Sequence, residues 1–312
     1  MKLPIFNELE KSKSVLLIGA GGGFDIVSGL PLYLYLRDMG IDVTLANLSF
    51  TELTFSESKE VFEGTYSVTK DSLDLPYFPE KYLQNWLLSR NETPFIYALS
   101  NKMGVQPLRQ AYTYLVDQHN IDTLILVDGG TDSLMFGDEQ KVGTIVEDAC
   151  SIIAASKVNV TRNYLTAIGF GVEHNLNHHA CLENISTLTK QGDHLGALSV
   201  TGDMPEGKAF LELVEYLNDA MPLHSSIVTN SIASAINGEF GDHHSTWRTK
   251  GSIQFVSALM NMLWFFQTNG VASQIRFGPD IEDSTSMHDV ANAFQLYRLK
   301  NKPRVNQSIP LR

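Results

Sequence analysis

The sequence has few cysteines, a deficit of basic residues and no long apolar run. Only two of its 312 residues are cysteine, which excludes a disulfide framework and a four-cysteine zinc site. It has 23 lysines and arginines against 35 aspartates and glutamates, and the resulting net charge of −12 repels nucleic acid. The longest apolar stretch, near residues 255–266, is too short and too interrupted to span a bilayer. We therefore expect neither a nucleic-acid partner nor a membrane partner.

The remaining composition is typical of a globular protein. Hydrophobic residues make up 43% and charged residues 19% of the chain. The first 13 residues are mixed and charged and carry no apolar core of a signal peptide, so we expect a cytoplasmic protein. We predict one α/β domain over residues 1–312, and a homo-oligomer is compatible with the sequence.

Short apolar runs alternate with segments of helical periodicity. Ser14–Ile18 and Thr123–Val127 predict strands that are buried on both faces. A helical pattern at 25–39 and a second strand at 41–48 complete a βαβ unit with the first strand. This alternation predicts an α/β fold with a mostly parallel, doubly wound sheet and helices on both faces. Residues 50–91 show no clear period and predict an irregular excursion over the sheet.

A glycine-rich turn, Gly19-Ala-Gly21-Gly22-Gly23, follows the first predicted strand and opens a helix. Parallel sheets bind ligands at the carboxyl ends of their strands, and glycine lets the backbone approach a ligand closely. Free N–H groups at the start of a helix attract phosphate. We predict that these four glycines hold the phosphate of a nucleotide or NAD-like cofactor and that Asp25 holds a ribose hydroxyl or a metal. A tight turn without a ligand is the alternative.

The turn departs from the full dinucleotide-binding pattern G-x-G-x-x-G. Its third glycine comes one residue early, and Phe24 occupies the usual place. No acidic residue ends the second predicted strand to bind a ribose, and Asn47 is the nearest polar candidate. An ordinary dehydrogenase site is therefore not expected.

A second polar loop, Asp128-Gly129-Gly130-Thr-Asp132, follows another buried strand. Both aspartates should lie on the same rim as the glycine turn, so Asp128, Gly129 and Gly130 are assigned to cofactor binding. The carboxylates could hold Mg²⁺ or another divalent metal, or contact ribose hydroxyls. The alternative is an Asx-type turn that only caps the backbone.

Seven of the nine histidines fall between residues 174 and 244. A neutral imidazole suits general-base chemistry, so His174 is the candidate base, with Glu173 and Asp132 as further catalytic residues. If a helix begins at or before His174, then His178 shares its face at the i, i+4 spacing. Most of these histidines could instead be exposed loop residues.

That i, i+4 spacing and a second polar cluster suggest a metal site. Asp242 and His243 follow a helix that ends at Gly238. His178, Asp242 and His243 are therefore the candidate metal ligands, although the H-E-x-x-H arrangement of zinc proteases does not occur.

Two resemblances to known families can be stated. Gly19-Ala-Gly21 followed by Ser28-Gly-Leu-Pro31 resembles the start of the sirtuin and deoxyhypusine-synthase class of NAD-binding folds, with a spacer two residues longer. The segments 21–31 (GGGFDIVSGLP) and 127–134 (VDGGTDSL) resemble an uncharacterised prokaryotic family that carries only a domain-of-unknown-function label. The second resemblance implies a Rossmann-like fold and no particular activity.

Three functional hypotheses follow. The first is an enzyme that binds a nucleotide or NAD-like phosphorylated ligand at Gly19–Gly23 and performs ribosyl transfer or hydrolysis. The second is a metal-dependent hydrolase built on His174, His178, Asp128 and Asp242. The third is a non-catalytic nucleotide sensor, which binds its ligand without turnover.

Overall fold

The computed structural model describes residues 2–309 and contains one nine-stranded sheet with the strand order β3-β4-β5-β2-β1-β6-β7-β11-β8. A separate two-stranded ribbon pairs β10 with β9 in antiparallel orientation. The strands are β1 (Ser14–Gly19), β2 (Asp42–Ser49), β3 (Lys59–Phe62), β4 (Thr65–Val68), β5 (Ile96–Ser100), β6 (Thr123–Gly129), β7 (Arg162–Ile168), β8 (His194–Ser199), β9 (Gly241–Asp242), β10 (Phe255–Val256) and β11 (Met262–Gln267).

Twelve α-helices connect and cover these strands within the described residues. None of them is both long enough and apolar enough to cross a membrane. The helices are α1 (Pro4–Leu9), α2 (Asp25–Ser28), α3 (Leu30–Asp38), α4 (Pro79–Ser89), α5 (Val105–His119), α6 (Ile145–Ser156), α7 (His178–Gln191), α8 (Pro205–Ala220), α9 (Ile227–Ile236), α10 (Thr268–Gln274), α11 (Gly278–Ile281) and α12 (Met287–Lys300).

The core lies on both sides of the sheet because successive strand side chains point to opposite faces. On β1, Leu16 and Ile18 join the larger apolar cluster, which includes residues of α5, α6 and α7. Val15 and Leu17 join a second cluster with residues of α3, α4 and α8. Since β1 is buried on both faces, its continuous apolar run is the pattern expected of a central parallel strand.

The sheet is mixed, with a parallel centre and antiparallel edges. Strands β5, β2, β1, β6 and β7 are parallel neighbours, as the alternation of strands and helices predicts. At one edge β4 and β3 add antiparallel strands, and at the other β11 lies antiparallel between β7 and β8. The prediction of an irregular excursion at 50–91 is wrong in one respect, because this segment contains the β3–β4 hairpin and α4.

Helix boundaries differ from the sequence prediction where glycine or a cap intervenes. The helix expected over 25–39 is broken at Gly29 into α2 and α3, and Pro31 lies in the first turn of α3. Helix α7 begins at His178 and not at or before His174, because the Asn177 side chain accepts a hydrogen bond from the Ala180 N–H and caps the helix there.

The order in which strands are added to the sheet reverses at β1. The connection after β1 leads to β2 on one side, whereas β6 pairs with the other side of β1 and leads on to β7. The loops after β1 and β6 diverge here and leave a crevice at their carboxyl ends, where open α/β sheets bind ligands.

Candidate functional site

The glycines after β1 are required by close packing and by backbone conformation. A Cβ at Gly19 would collide with Asn47 Oδ1 and would lie 2.7 Å from the Ile26 nitrogen. Gly22 and Gly23 have positive φ values of 97° and 62°, a backbone conformation that residues with a side chain rarely adopt. The turn is therefore explained in part by packing, independently of any ligand.

The Asp25 side chain points back to this turn and accepts a hydrogen bond from one of its backbone amides. The Gly21 N–H donates to Asp25 Oδ2 at 2.7 Å, and the Gly129 N–H donates to Asp25 Oδ1 at 3.1 Å. The Gly21 amide, which the sequence assigns to phosphate, is thus bound by a carboxylate of the protein because α2 begins at Asp25. Asp25 ties the loops after β1 and β6 together, and Gly22 and Gly23 remain in the cavity wall.

Three aspartates from different elements meet beneath the turn. One carboxylate oxygen each from Asp25, Asp128 and Asp148 lies within 4.8 Å of the others. The three residues are 8%, 2% and 1% exposed. Asp128 Oδ2 accepts hydrogen bonds from the N–H and hydroxyl of Ser133, whereas Asp148 Oδ1 is buried without a hydrogen-bond partner.

A second pair of carboxylates, Asp132 and Glu173, adjoins this trio. Asp132 Oδ2 accepts hydrogen bonds from the N–H and hydroxyl of Thr144 at 2.8 and 2.6 Å. A Cβ at Gly130 would lie 3.1 Å from Asp128 Oδ1, 3.1 Å from Asp132 Oδ1 and 3.3 Å from Glu173 Oε2. Gly130 therefore leaves the space into which these three carboxylates converge.

Burial is the main electrostatic influence on these acids. Loss of hydration, followed by the neighbouring Asp132 charge, raises the pKa of Asp25 to about 7 against the opposing effect of the backbone N–H donors. Burial and neighbouring negative charges also raise the pKa of Asp128, Asp148 and Glu173 well above their ordinary values. Within residues 2–309, none of these buried aspartates forms an ion pair with lysine or arginine. The aspartates that do are Asp42, Asp74, Asp122 and Asp138.

The acids line the floor of a cavity of about 760 Å³ at the carboxyl ends of β1 and β6. Other parts of its wall carry Tyr77, His224 and Arg248. The Tyr77 and His224 rings are in edge contact with their centroids 5.4 Å apart, and Arg248 Nη1 donates to the Ser225 carbonyl at 3.0 Å. The cavity thus combines a strongly acidic floor with an aromatic and basic wall.

Comparison with known proteins identifies the family. A family model described as "Protein of unknown function (DUF1152)" matches residues 53–301, most of the chain. The chain belongs to this DUF1152 family. The resemblance to a domain-of-unknown-function family is thereby confirmed, while the sirtuin resemblance stays a prediction. Within the DUF1152 match lie Asp128, Asp132, Asp148 and Glu173, whereas the glycine turn precedes it.

Other comparisons add little to the DUF1152 match. Among curated proteins, none matches the chain. One similar solved structure is the zinc-inhibited form of teicoplanin deacetylase Orf2, which is 11% identical. The alignment covers 82% of this chain and 98% of that chain, with a TM-score of 0.34. A score this low supports no argument about shared fold or chemistry.

The DUF1152 structure separates the histidines that the sequence groups together. His174 is exposed and lines the cavity beside Glu173. His178 is the first residue of α7 and packs against Phe170, with ring centroids 5.4 Å apart. Since α7 does not extend back to His174, the predicted i, i+4 pair does not form.

Asp242 and His243 also lie apart from the carboxylate floor. Asp242 Oδ1 accepts the Gln254 N–H at 2.8 Å and lies 3.2 Å from His244 Nε2, while His243 Nδ1 lies 3.4 Å from Glu239. Both side chains therefore contact residues within or beside the β9–β10 ribbon. Within residues 2–309, the one grouping of side chains close enough to share an ion contains none of His178, Asp242 and His243, so the metal site predicted from them stays a prediction.

Asp148 is the site residue that the sequence prediction missed. It lies in the first turn of α6, where the helix dipole favours negative charge. Its signal is an acidic residue directly before the mostly apolar segment Ala149–Ala155, at a position where a simple amphipathic helix would carry an apolar side chain.

Proposed function

We propose that this protein is an enzyme that acts on a nucleotide-like phosphorylated ligand in the cavity at the carboxyl ends of β1 and β6. The observation that carries the proposal is the union, in one cavity, of a buried carboxylate floor with the basic side chains His224 and Arg248. Such a cavity can bind both the hydroxyl and the anionic parts of one molecule.

The position of the cavity supports this proposal. We infer a Rossmann-like, doubly wound arrangement from the central strand order β5-β2-β1-β6-β7, and the cavity opens where this order reverses. Its volume of about 760 Å³ falls within the ordinary range for small-molecule sites. In this arrangement the Gly22–Gly23 backbone forms one side of the ligand site.

The two chemical characters of the cavity favour one orientation of the ligand. Without a bound cation, an anionic phosphate is repelled by the carboxylate floor and attracted by Arg248, whose guanidinium matches phosphate geometry. Hydroxyl groups of a ribose can donate hydrogen bonds to the carboxylates of Asp25 and Asp132. Tyr77 and Phe24, whose ring centroids are 5.9 Å apart, offer apolar surface to a planar ring beside the turn.

Buried acids with raised pKa values are suited to proton transfer near neutral pH. Glu173 is the candidate acid because it lines the cavity and its Oε2 is buried without a hydrogen-bond partner. His174, exposed at the rim, is the candidate base for activating water or another acceptor. These roles fit ribosyl transfer or hydrolysis of the ligand.

A ligand screen tests the proposal. The purified protein is heated with nucleotides, NAD and sugar phosphates, and a compound at 100 times its dissociation constant adds about 2.7 kcal/mol of stability. Turnover of each stabilising compound is then followed by ³¹P NMR and chromatography.

Arg248→Ala should reduce the affinity for the phosphorylated ligand, because the phosphate loses its guanidinium partner. The matched control is Lys250→Ala, which removes an exposed cation of the same segment that does not line the cavity. Equal affinity of both variants would contradict the assigned orientation. Binding without turnover would instead identify a nucleotide sensor.

A further inference from the structure

The carboxylate trio on the cavity floor has the properties of a metal site. We propose that Asp25, Asp128 and Asp148 together bind one divalent cation, Mg²⁺ or Mn²⁺. The three side chains come from α2, the end of β6 and α6, and one oxygen of each lies within 4.8 Å of the other two. Ligand oxygens about 2.1 Å from one Mg²⁺ are at most about 4.2 Å apart, so side-chain shifts of under ~1 Å would let these three oxygens share one ion.

Each carboxylate keeps a lone pair for the ion. The oxygens of Asp25 each accept one backbone N–H, and a carboxylate oxygen has room for a second interaction. Asp128 directs both Ser133 hydrogen bonds to Oδ2, so its Oδ1 is available. The ligands are thus oriented by hydrogen bonds on their other lone pairs, as metal-binding carboxylates commonly are.

Asp148 supplies the observation that points most directly to a ligand. Its Oδ1 is buried without a hydrogen-bond partner, although the residue is only 1% exposed and lines the cavity. An unpartnered buried carboxylate oxygen is costly in a protein interior unless something positive occupies the space beside it. The space is kept by Gly21, where a Cβ would lie 2.7 Å from Asp148 Oδ2.

The donor set determines the class of ion. Three carboxylates without sulfur or imidazole favour hard cations, since Zn²⁺ and Cu²⁺ sites typically include cysteine or histidine. Mg²⁺ usually takes few protein carboxylates and fills its other positions with water or ligand oxygens. Because the trio lines the open cavity, those positions face the space proposed for the phosphorylated ligand.

Metal binding is tested with the ion alone, so its outcome does not depend on the proposed ligand. Protein treated with EDTA and desalted is titrated with Mn²⁺, and free Mn²⁺ is followed by electron paramagnetic resonance. We expect one Mn²⁺ per chain, displaced by Mg²⁺, and a higher midpoint of thermal unfolding in the presence of either ion.

Asp148→Asn and Asp128→Asn should each weaken Mn²⁺ binding by about tenfold or more, because each removes the charge of a direct ligand. Glu147→Gln is the matched control. It removes a carboxylate that also lines the cavity, one residue away on α6 and outside the trio, and we expect a smaller loss.

Failure to bind Mn²⁺ in the unmodified protein at millimolar concentration would overturn the proposal. Unchanged Mn²⁺ affinity in both aspartate variants would overturn it as well. If either variant does not fold, the stoichiometry and the Mg²⁺ competition in the unmodified protein still decide the question. Metal binding combined with no response to phosphorylated ligands would leave this site standing and count against the proposed function.

Discussion

The buried carboxyl of Asp25 should make the stability of the metal-free protein depend on pH. In the folded state its pKa is raised from 3.8 to about 7, first by burial and then by the charge of Asp132. The folded protein therefore holds a proton that the unfolded chain releases near pH 4. A shift of this size corresponds to about 4 kcal/mol of stability, present below pH 4 and lost as pH rises through 7.

The variant Asp25→Asn isolates this contribution because asparagine stays neutral. It loses one acceptor for the amides of Gly21 and Gly129, which is a penalty that does not change with pH. Relative to Asp25→Asn, the wild-type protein should therefore lose up to about 4 kcal/mol between pH 4 and 7. Coupling to the other buried acids spreads this loss over a wider pH range.

The assay is urea denaturation of both proteins in EDTA at half-unit steps from pH 4.5 to 8. Three histidines, His119, His178 and His194, have pKa values lowered by burial and titrate with the opposite sign below pH 6.5. Their effect is common to both proteins and cancels in the difference. Asp42→Asn, at a 90% exposed side chain, is the control.

A constant difference between wild type and Asp25→Asn over this range would refute the reasoning, because it would mean that Asp25 is ionised in the fold at every pH tested. Saturating Mg²⁺ should flatten the wild-type profile at high pH, since an ion on the trio stabilises the ionised carboxylates.

Two further substitutions probe the packing around the site. Gly21→Ala should destabilise the protein by about 1–3 kcal/mol and weaken Mn²⁺ binding, because its methyl group would displace Asp148. The control is Gly202→Ala, where an added Cβ would lie no closer than 3.7 Å to any non-neighbouring atom, and equal effects of the two variants in calorimetry would contradict this prediction. Arg304→Ala should lower the free energy of unfolding in urea by about 3–5 kcal/mol, because it leaves the fully buried Glu139, 2.7 Å away, without its cation. The control is Lys302→Ala, at an exposed neighbour. An equal loss in the two variants would show that the C-terminal segment contributes little to stability.

The central part of the fold was predictable because its signals are local. Runs such as Ser14–Ile18 and Thr123–Val127 are short, almost wholly apolar and followed by glycines, which is the pattern of a strand covered on both faces. The antiparallel edges were not predicted. Strand β3 pairs only with its hairpin partner β4, whereas β4 and β11 owe their places to pairing with strands far along the chain. Short edge strands carry weak periodicity, and tertiary pairing overrides it.

The site was predictable only where it follows strand ends. Asp128 lies at the end of β6, and Asp25 and Asp132 follow β1 and β6 by a few residues, so the topology brings all three to one rim. Asp148 reaches the same place from a helix that crosses the sheet, and no spacing along the chain marks that approach. The histidine grouping failed because clustering in sequence does not require clustering in space, and the β9–β10 ribbon uses Asp242 within itself.

The energetic cost of the carboxylate floor argues against a purely structural role. Asp25 and Asp128 each bind backbone or side-chain donors of their neighbours, so either could serve as a turn-forming residue on its own. Asp148 Oδ1, by contrast, accepts no hydrogen bond from a neighbouring donor. An apolar residue at that position in α6 would avoid the cost of burying a charge. Placing this carboxylate against Asp25 and Asp128 lowers the free energy of unfolding of the protein. Such local losses of stability are characteristic of sites at which a ligand binds.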